Sequence, residues 1–448
     1  MKLRNIFAVI LFFLPFAYAL VLDLKVPVKI YELAFLLFLF FWLTQQFLRG
    51  EIKLDFDRGF RPLLYYYVWA VFVTIIGYFG LLQFSTFPDW VARGSFFLNP
   101  AVELAYLLMN ILLAIFISKL IGAKKDIKAV IYILLLGNIL VCLYGLYQFF
   151  GQLLQFPVIT LPTMKDARQN FGFVLPRVAA TFKEPNFFAG YLNALIPLAV
   201  TLFLLARRKG FGLLNHKLFV IVLILVQLLA LLLSFSTAGL IAFTFSMIFY
   251  AFLYGWKFRA KRRSIVLAIV LFLVLGCVVI RLFNLGGIFN MVVVDKLFSS
   301  EINPMTHSRM ERSEQALAAI TLFMRHPMFG IGLANFGLYF DQELGIKYGF
   351  EATANNIYAK MLAETGLIGL ILFLGFFFSM FKRFYRVYQR LKVGEDLLLL
   401  IGIWTAVFAI LVGWNFFPSY SLAFFWVIFG LAIGYLRSLE AELDGSKS

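Results

Sequence analysis

Twelve apolar runs, most of them about as long as a membrane-spanning helix, constrain this chain more than any other feature of its sequence. A helix needs about 20 apolar residues to cross a bilayer. Hydrophobic residues make up 62% of the 448 positions and charged residues only 14%, far less charge than a soluble chain exposes. We therefore predict an all-α, polytopic membrane protein, a single integral membrane domain over residues 1–448 with about twelve transmembrane helices. The runs lie at 5–22, 30–48, 63–84, 101–119, 129–150, 186–206, 218–234, 238–256, 264–283, 355–381, 397–413 and 419–436.

The start of the chain has the features of a cleavable signal peptide. Lys2 and Arg4 precede the apolar stretch Ile6–Phe16, and Ala17–Ala19 resembles a cleavage site. Because the apolar run continues through Leu22, we favour a first helix that is retained.

The basic residues predict an orientation. Alternate connections between the runs hold 26 of the 40 Lys and Arg residues, and positively charged loops stay on the cytoplasmic side of a membrane. The cytoplasmic segments, both termini included, are then 2–4, 49–61, 119–128, 207–217, 257–263, 382–392 and 437–447. The net charge of +17 therefore reflects topology and contact with anionic lipid, and nucleic acid is not expected as a partner.

Two long connections on the opposite, outer side of the membrane are the expected place of function. They span residues 151–185 and 284–354, and the second contains a predicted helix at about 309–325. Loops held by a rigid scaffold commonly carry binding and catalytic residues. The two halves of the chain show no internal repeat, which weakens a transporter interpretation.

Metal and disulfide chemistry are not expected. The two cysteines, Cys142 and Cys277, both lie inside apolar runs, so no disulfide framework or Cys-x-x-Cys site is available. The three histidines, His216, His307 and His326, include no two at the spacing of metal ligands. We predict neither a metal nor a cofactor.

The boundary between the first long loop and the sixth apolar run carries the first group of candidate residues. Pro185 marks this boundary and Asn186 is a plausible N-cap. A stripe of small and polar residues follows at helical spacing. It suits either the approach of a lipid or sugar chain or a tight interhelical seam. The stripe comprises Asn186, Ala189, Gly190, Asn193 and Pro197, with Arg177, Lys183 and Glu184 just above it.

The second long loop carries a predicted amphipathic helix. Ser308 followed by Glu311 fits a capping box, which places Arg309 at the first helical position. Arg309 and Arg312 share a face, and two guanidinium groups at a helix N-terminus suit an anion such as diphosphate. An ordinary loop helix with solvated arginines is the alternative. The apolar stripe of this helix is formed by Met310, Leu317, Ile320 and Met324.

A break is predicted after this helix. Pro327 ends the helix because proline cannot continue it. The glycines in 330–332 are expected to make a flexible link. We interpret His326 as structural.

The tenth apolar run begins with polar residues. Asn356, Lys360 and Glu364 recur every four residues and share one helix face, with Glu364 about 12 Å below Asn356. Ionisable groups at membrane depth are costly and usually functional. Lys360 and Glu364 either neutralise each other, or Glu364 positions a neighbouring arginine. In the second case Asn355 and Asn356 reach the mouth of the site.

Four segments of the chain resemble those of one family in the same order. The chain is similar over about residues 175–375 to the O-antigen ligase and polymerase superfamily, the WaaL- and Wzy-type membrane glycosyltransferases. The segments are RVAATFKEPNFFAGYL at 177–192, SFSTAGL at 234–240, RHPMFGIGLANF at 325–336 and NNIYAKMLAETGLIGL at 355–370.

The resemblance implies a GT-C-like fold and a metal-independent reaction on the periplasmic face. A glycan moves from undecaprenyl diphosphate to a hydroxyl of an acceptor sugar, and the lipid diphosphate leaves. Arg312 and Arg177 match basic residues of the family, and Asn356 and Glu364 match its helix motif. The residues expected to bind the diphosphate or the glycan are Arg177, Lys183, Arg309, Asn186, Tyr358, Lys360 and Glu364.

Two departures from the family pattern bear on the mechanism. The ligases of the family carry histidine where this chain has Asn355, and arginine where it has Thr237. Asparagine cannot act as a base near neutral pH. Either another group, Glu184 or His307, takes this role, or the departure of the diphosphate mainly drives the reaction. The expected catalytic residues are Arg312, Glu184, Asn355, Asn356 and His307.

The missing histidine favours a polysaccharide or O-antigen polymerase. The alternatives are an O-antigen ligase acting on lipid A core, a protein O-oligosaccharyltransferase and, in another class, a lipid or saccharide transporter. Expected partners are the undecaprenyl-diphosphate-linked glycan donor, an acceptor glycan that is lipid-linked or on lipid A core, membrane lipid, and a chain-length regulator protein. The expected location is the bacterial inner membrane, with both termini cytoplasmic.

Overall fold

Twelve α-helices make up nearly all of the described fold. The computed structural model describes residues 3–16, 21–23, 27–50, 56–81, 95–159, 169–170, 174–205, 215–258, 304–339, 354–417 and 420–445. The helices are α1 (Leu3–Phe13), α2 (Ile30–Leu48), α3 (Arg61–Leu81), α4 (Ser95–Leu120), α5 (Lys124–Leu153), α6 (Pro185–Leu205), α7 (Lys217–Leu233), α8 (Thr237–Lys257), α9 (Pro304–Arg325), α10 (Ile357–Arg390), α11 (Glu395–Gly413) and α12 (Ala423–Gly445).

Nine helices in the described part of the chain are long and apolar enough to cross a membrane. They are α2 to α6, α8 and α10 to α12, and each coincides with a predicted span. Two further predicted spans correspond to shorter apolar helices, Phe7–Phe16 and Lys217–Leu233. The predicted span 264–283 lies outside the described residues. The all-helical membrane class is thus confirmed, while the count of twelve spans stays a prediction.

The first helix is shorter than the predicted run to Leu22. Helix α1 passes into a 3-10 turn, Leu14–Phe16, where Pro15 has no backbone N–H to donate. Residues Val21–Asp23 are then extended and pair antiparallel with Pro27–Lys29. A second small hairpin pairs Gln169–Asn170 with Val174–Leu175. Neither hairpin was expected from the apolar pattern.

The packing order of the helices identifies a centre and a periphery. In the most apolar stretch of α6 and of α12, 83% of the residues are buried, against 22% in α2. Helix α11 packs against α6, α8 and α12, and α10 packs against α3, α9 and α12. Helices α6, α11 and α12 therefore form the core of the bundle, while α2 presents apolar side chains such as Phe40 and Phe47 at its surface.

Five of the segments predicted to be cytoplasmic meet at one end of the bundle. Ion pairs and carbonyl contacts connect them across the helices. The contacts are Arg383 Nη2 to Asp57 Oδ2 (3.1 Å) and Glu440 Oε2 (2.6 Å), Lys124 Nζ to Asp396 Oδ2 (2.8 Å) and Glu442 Oε2 (3.0 Å), and Lys257 Nζ to the Gln389 carbonyl (3.1 Å). We call this the basic end of the bundle. The candidate residues described below lie towards the other end.

Candidate active site

The start of α10 is fixed by the side chain of Asn356. Asn356 has an extended backbone, and its Oδ1 accepts hydrogen bonds from the N–H groups of Tyr358 (2.9 Å) and Ala359 (3.0 Å). Its Nδ2 donates to the Asn415 carbonyl just beyond α11 (3.3 Å). The side chain of Asn356 thus serves as the N-cap of the helix.

The capping role predicts a modest and specific loss of stability. Asn356→Ala removes the acceptor of two N–H groups and should cost about 1 kcal/mol of unfolding free energy. Asn356→Ser keeps a cap acceptor and should retain most of it. Thermal unfolding in detergent measures both variants. Unchanged stability of Asn356→Ala combined with lost glycan transfer would show that Asn356 acts on substrate instead.

Asn355 connects α10 to the loop helix α9. Its backbone adopts a positive φ of 34°, which asparagine tolerates better than most residues. Its Nδ2 donates a hydrogen bond to Oε1 of Gln315 on α9. Helix α9 thereby docks over the beginning of α10. The two contacting side chains, Asn355 and Gln315, are both amides, so neither is ionisable.

A buried ion pair lies one turn into α10. Lys360 Nζ is 3.0 Å from Glu103 Oε1 on α4 and 3.9 Å from Glu364 Oε2. It also lies 5.0 Å from the ring centroid of Tyr420, whose hydroxyl donates to Glu103 Oε1 at 2.6 Å. We call Glu103, Lys360, Glu364 and Tyr420 the acidic cluster.

Glu103 was missed in the sequence, although a signal was present. It is a carboxylate inside the apolar run 101–119, and such residues usually have a function or a partner. The expected neutralisation of Lys360 by Glu364 is only part of the arrangement, because Glu103 is the nearer carboxylate. The pairing joins residues 257 positions apart, which helical periodicity cannot indicate.

Helix α10 is broken at Gly366, directly after the acidic cluster. Gly366 has φ 67° and ψ −174°, a conformation that is essentially restricted to glycine. An unbroken helix would pair the Ala363 carbonyl with the Leu367 N–H. Here the Leu367 N–H donates to the Pro327 carbonyl (2.9 Å), and the Thr365 carbonyl accepts from Trp69 Nε1 on α3 (2.8 Å).

The loop 327–336 supplies the partners that the break requires. The N–H groups of Ile331 and Gly332 donate to the carbonyls of Ala363 (3.0 Å) and Glu364 (2.8 Å). The Leu333 N–H donates to Thr74 Oγ1 on α3 (3.2 Å). The expected flexible link at 330–332 was wrong, because this backbone is fixed between α3 and α10. The interrupted helix is thus satisfied by protein, as the interior of a membrane requires.

The residues above α6 form a second group, around the turn between α7 and α8. Arg177 Nε donates to the Ser234 carbonyl (3.1 Å) and Nη2 to the Phe235 carbonyl (3.2 Å). Asn186 accepts from the hydroxyl of Ser236 (2.8 Å). Helix α6 begins at Pro185, so Asn186 lies inside it and the predicted N-cap was wrong. Arg177 thus holds the loop against this turn.

Lys183 and Glu184 lie just before α6 and are half-buried. The Glu184 carbonyl accepts from the N–H groups of Phe187 (3.1 Å) and Phe188 (3.2 Å), so its backbone starts the helix.

The small-residue stripe on α6 is a packing seam. Asn193 Nδ2 donates to the Gly239 carbonyl of α8 (2.8 Å). A Cβ added at Gly190 would lie 2.7 Å from the ring of Phe417, which follows α11. The stripe therefore contacts α8 and the end of α11, which supports the packing alternative.

The loop-helix residues Arg309, Arg312 and His307 lie on α9. This helix begins at Pro304 and not at Arg309, so the predicted capping box does not start it, while its end at Arg325 agrees with the prediction. The side chains of these three residues lie outside what the structure describes. Arg312 stands three residues before Gln315, so both positions share a face of α9.

The two groups of candidate residues flank the end of α11. The Trp414 carbonyl accepts from the Ile357 N–H of α10 (2.9 Å), and Tyr358 OH donates to the Leu411 carbonyl (2.7 Å). The ring centroids of Phe417 and of Phe187 on α6 lie 6.1 Å apart. The structure thus brings the Asn355–Glu364 group and the Arg177–Asn186 group to the same end of the bundle.

His326 packs edge-on against Tyr339 at 5.6 Å between ring centroids, which fits a structural role.

Comparison with known proteins gives one match. Residues 219–374, about a third of the chain, match the family model described as O-Antigen ligase. The matched region contains most of α7, all of α8 and α9, the loop 327–336 and the first part of α10, including its break. No curated protein matches the chain. This match supports membership of the O-antigen ligase and polymerase superfamily, and the long apolar helices indicate a multi-pass membrane protein.

Proposed function

We propose that this protein is a periplasm-facing, metal-independent glycosyltransferase that moves a glycan from undecaprenyl diphosphate to a sugar hydroxyl, as a polysaccharide or O-antigen polymerase. The acceptor is itself a lipid-linked glycan. The protein resides in the bacterial inner membrane with both termini in the cytoplasm. A chain-length regulator protein is a candidate partner of the polymerase.

The docking of α9 on α10 is the observation that carries this proposal. The Asn355–Gln315 hydrogen bond holds α9 against the start of α10. Arg312 stands three residues before Gln315 on the same helix, which supports a role for Arg312 at this end of the bundle. The acidic cluster lies one to two turns below that contact. A leaving diphosphate needs cations, and an acceptor hydroxyl needs a hydrogen-bond acceptor for its proton. In this proposal the arginines of α9 supply the cations, and the acidic cluster supplies the hydrogen-bond acceptor.

The chemistry of the leaving group explains the arginines. As the bond between the sugar C1 and the phosphate oxygen breaks, negative charge grows on the diphosphate. Guanidinium groups bind such oxygens in pairs and are always charged. Arg312 and Arg309 on α9 would stabilise this charge, and Arg177 would act near the α7–α8 turn. Lys183, Asn186 and Tyr358 would contact the glycan.

The amide pair at Asn355 favours polymerase over ligase. Family ligases are expected to use a histidine at this position to activate the acceptor. Here Asn355 donates to Gln315, and neither amide takes up a proton near neutral pH. A ligase acting on lipid A core or on a protein therefore remains the second candidate.

A deletion strain tests the proposal and separates the two enzymes. A polymerase deletion should leave surface glycan with a single repeat and no ladder of longer chains. Loss of a ligase should instead accumulate full-length polymer on the lipid carrier. Glycan gels and mass spectrometry of lipid-linked saccharides measure both outcomes. Normal chain lengths and normal lipid-linked intermediates would contradict both enzymes.

The broken helix α10 also resembles a feature of transporters, where open carbonyls at such breaks coordinate ions. In this chain the carbonyls of Ala363, Glu364 and Thr365 accept from protein donors instead. The break therefore supports a fixed scaffold, and transport is not favoured.

A further inference from the structure

We propose that Glu103 is the general base of the transfer reaction. The inference rests on the proposed function, because it assigns the group that receives the proton of the acceptor hydroxyl. Glu103 lies outside the four family-like segments and outside the two long predicted loops. In this proposal it replaces Glu184 and His307 as the candidate base. Its assignment follows from three properties of the acidic cluster: orientation, charge and exposure.

The Glu103 carboxylate is held in one orientation from two sides. Lys360 Nζ (3.0 Å) and Tyr420 OH (2.6 Å) both donate to the same oxygen, Oε1. Among the residues that the structure describes, no hydrogen bond to the second oxygen, Oε2, is formed. A positioned base needs an oriented carboxylate with an oxygen left to accept a proton. Glu103 has this arrangement.

Charge in the cluster assigns the ionised form to Glu103. One lysine and two ionised glutamates would leave a net negative charge at membrane depth, which is costly. Glu364 is 1% exposed, and within the described part of the chain neither of its oxygens has a hydrogen-bond donor. The Ala334 and Phe336 N–H groups face it without reaching hydrogen-bond geometry. Glu364 is therefore the protonated member, and Glu103 with its two donors is the carboxylate.

Exposure also distinguishes the two acids. The Glu103 side chain is 21% exposed, against 10% for Lys360 and 1% for Glu364. Glu103 lies in α4 beside the first turn of α10, where Lys360 contacts it. It is thus the member of the cluster that a bound sugar hydroxyl can reach.

The reaction balances with Glu103 as a transient proton carrier. The acceptor oxygen forms a bond to C1 of the donor sugar while the bond from C1 to the diphosphate oxygen breaks, and its electron pair leaves with the diphosphate. The acceptor hydroxyl gives its proton to Oε2 of Glu103. That proton then passes to water at the outer face, which restores the carboxylate between Lys360 and Tyr420.

The test compares Glu103→Gln with a matched control in proteoliposomes supplied with purified lipid-linked glycan. Glutamine keeps an oxygen for Lys360 and Tyr420, so the fold survives, but it cannot take up a proton. The expected result is a fall in kcat of about 100-fold or more with KM nearly unchanged. Glu32→Gln is the control, because Glu32 is also buried and pairs with a lysine, Lys29, at 2.8 Å. It should retain normal turnover.

The pH profile separates a base from a structural residue. Wild-type kcat should fall on the acidic side as Glu103 gains a proton, and this limb should vanish in Glu103→Gln. Other groups around Glu103 are Lys360 and Glu364 of α10, Tyr420 before α12 and Tyr66 of α3. A limb that persists in Glu103→Gln would come from one of these and would overturn the assignment.

Further outcomes keep this inference distinct from the proposed function. Near-normal turnover of Glu103→Gln, with Arg312→Ala inactive, would overturn the base while the glycosyltransferase stands. Absence of transfer by the wild-type protein would remove both. If Glu103→Gln does not fold, Glu103→Asp keeps the charge but withdraws the carboxylate by one methylene. Its kcat should drop about 10-fold or more with the acidic limb retained, and an unchanged kcat would overturn the proposal.

Discussion

Arg312→Ala should reduce glycan transfer by about 100- to 1,000-fold, the effect of removing one group that stabilises developing negative charge. The reason is geometric: Arg312 shares a face of α9 with Gln315, which bonds Asn355 at the start of α10. Transfer from purified lipid-linked glycan in proteoliposomes measures the rate. Arg312→Lys should recover only part of it, because an ammonium cannot form the paired contacts of a guanidinium.

Arg390→Ala provides the matched control. Arg390 lies at the basic end of the bundle and pairs with the largely exposed Asp444 (2.8 Å). Such a surface pair contributes little to stability, so transfer should stay normal. Wild-type rates in a folded Arg312→Ala protein would show that the diphosphate is bound elsewhere. Equal losses in both variants would indicate a general effect of removing positive charge.

Gly366→Ala should destabilise the protein by about 3 kcal/mol or more. The φ of 67° and ψ of −174° exclude other residues without strain. An added Cβ would also lie 2.3 Å from the Met328 carbonyl oxygen, on the loop that closes the break. Overpacking of this kind commonly costs about 1–3 kcal/mol more. Thermal unfolding in detergent, followed by tryptophan fluorescence, measures the change.

Gly375→Ala on the same helix is the control for this prediction. The nearest atom to an added Cβ there is Pro62 Cβ at 3.9 Å, an ordinary contact. Alanine is the better helix former by about 0.5–1 kcal/mol, so Gly375→Ala should be neutral or stabilising. Equal stability of the two variants would mean that α10 can close into a continuous helix.

Much of the bundle follows from the sequence because lipid imposes a simple requirement. Each span must be apolar and about 20 residues long, and nine described helices coincide with predicted runs. The shared face of Asn356, Lys360 and Glu364 follows from helical periodicity alone. These features are local in sequence, so local patterns predict them.

The parts that were missed depend on contacts between distant segments. Glu103 meets Lys360 across 257 positions. The glycines before α10 suggested flexibility, yet Gly330 has a φ of 69° and its added Cβ would lie 2.5 Å from the Glu364 carbonyl carbon. Glycine is required there because two backbones meet. The capping-box signal at Ser308 failed for a different reason, since α9 starts earlier at Pro304.

The break in α10 has a consequence for how the protein is made. The parts of α10 before and after Gly366 emerge from the ribosome as one apolar segment. The carbonyls at the junction between these parts need the N–H groups of the loop 327–336. That loop and α3 both precede α10 in the chain, so every partner of the junction has been synthesised before the junction itself. Vectorial synthesis can therefore close the broken helix as it enters the bilayer. A circular permutation that placed α10 ahead of α9 would expose the junction to lipid during insertion.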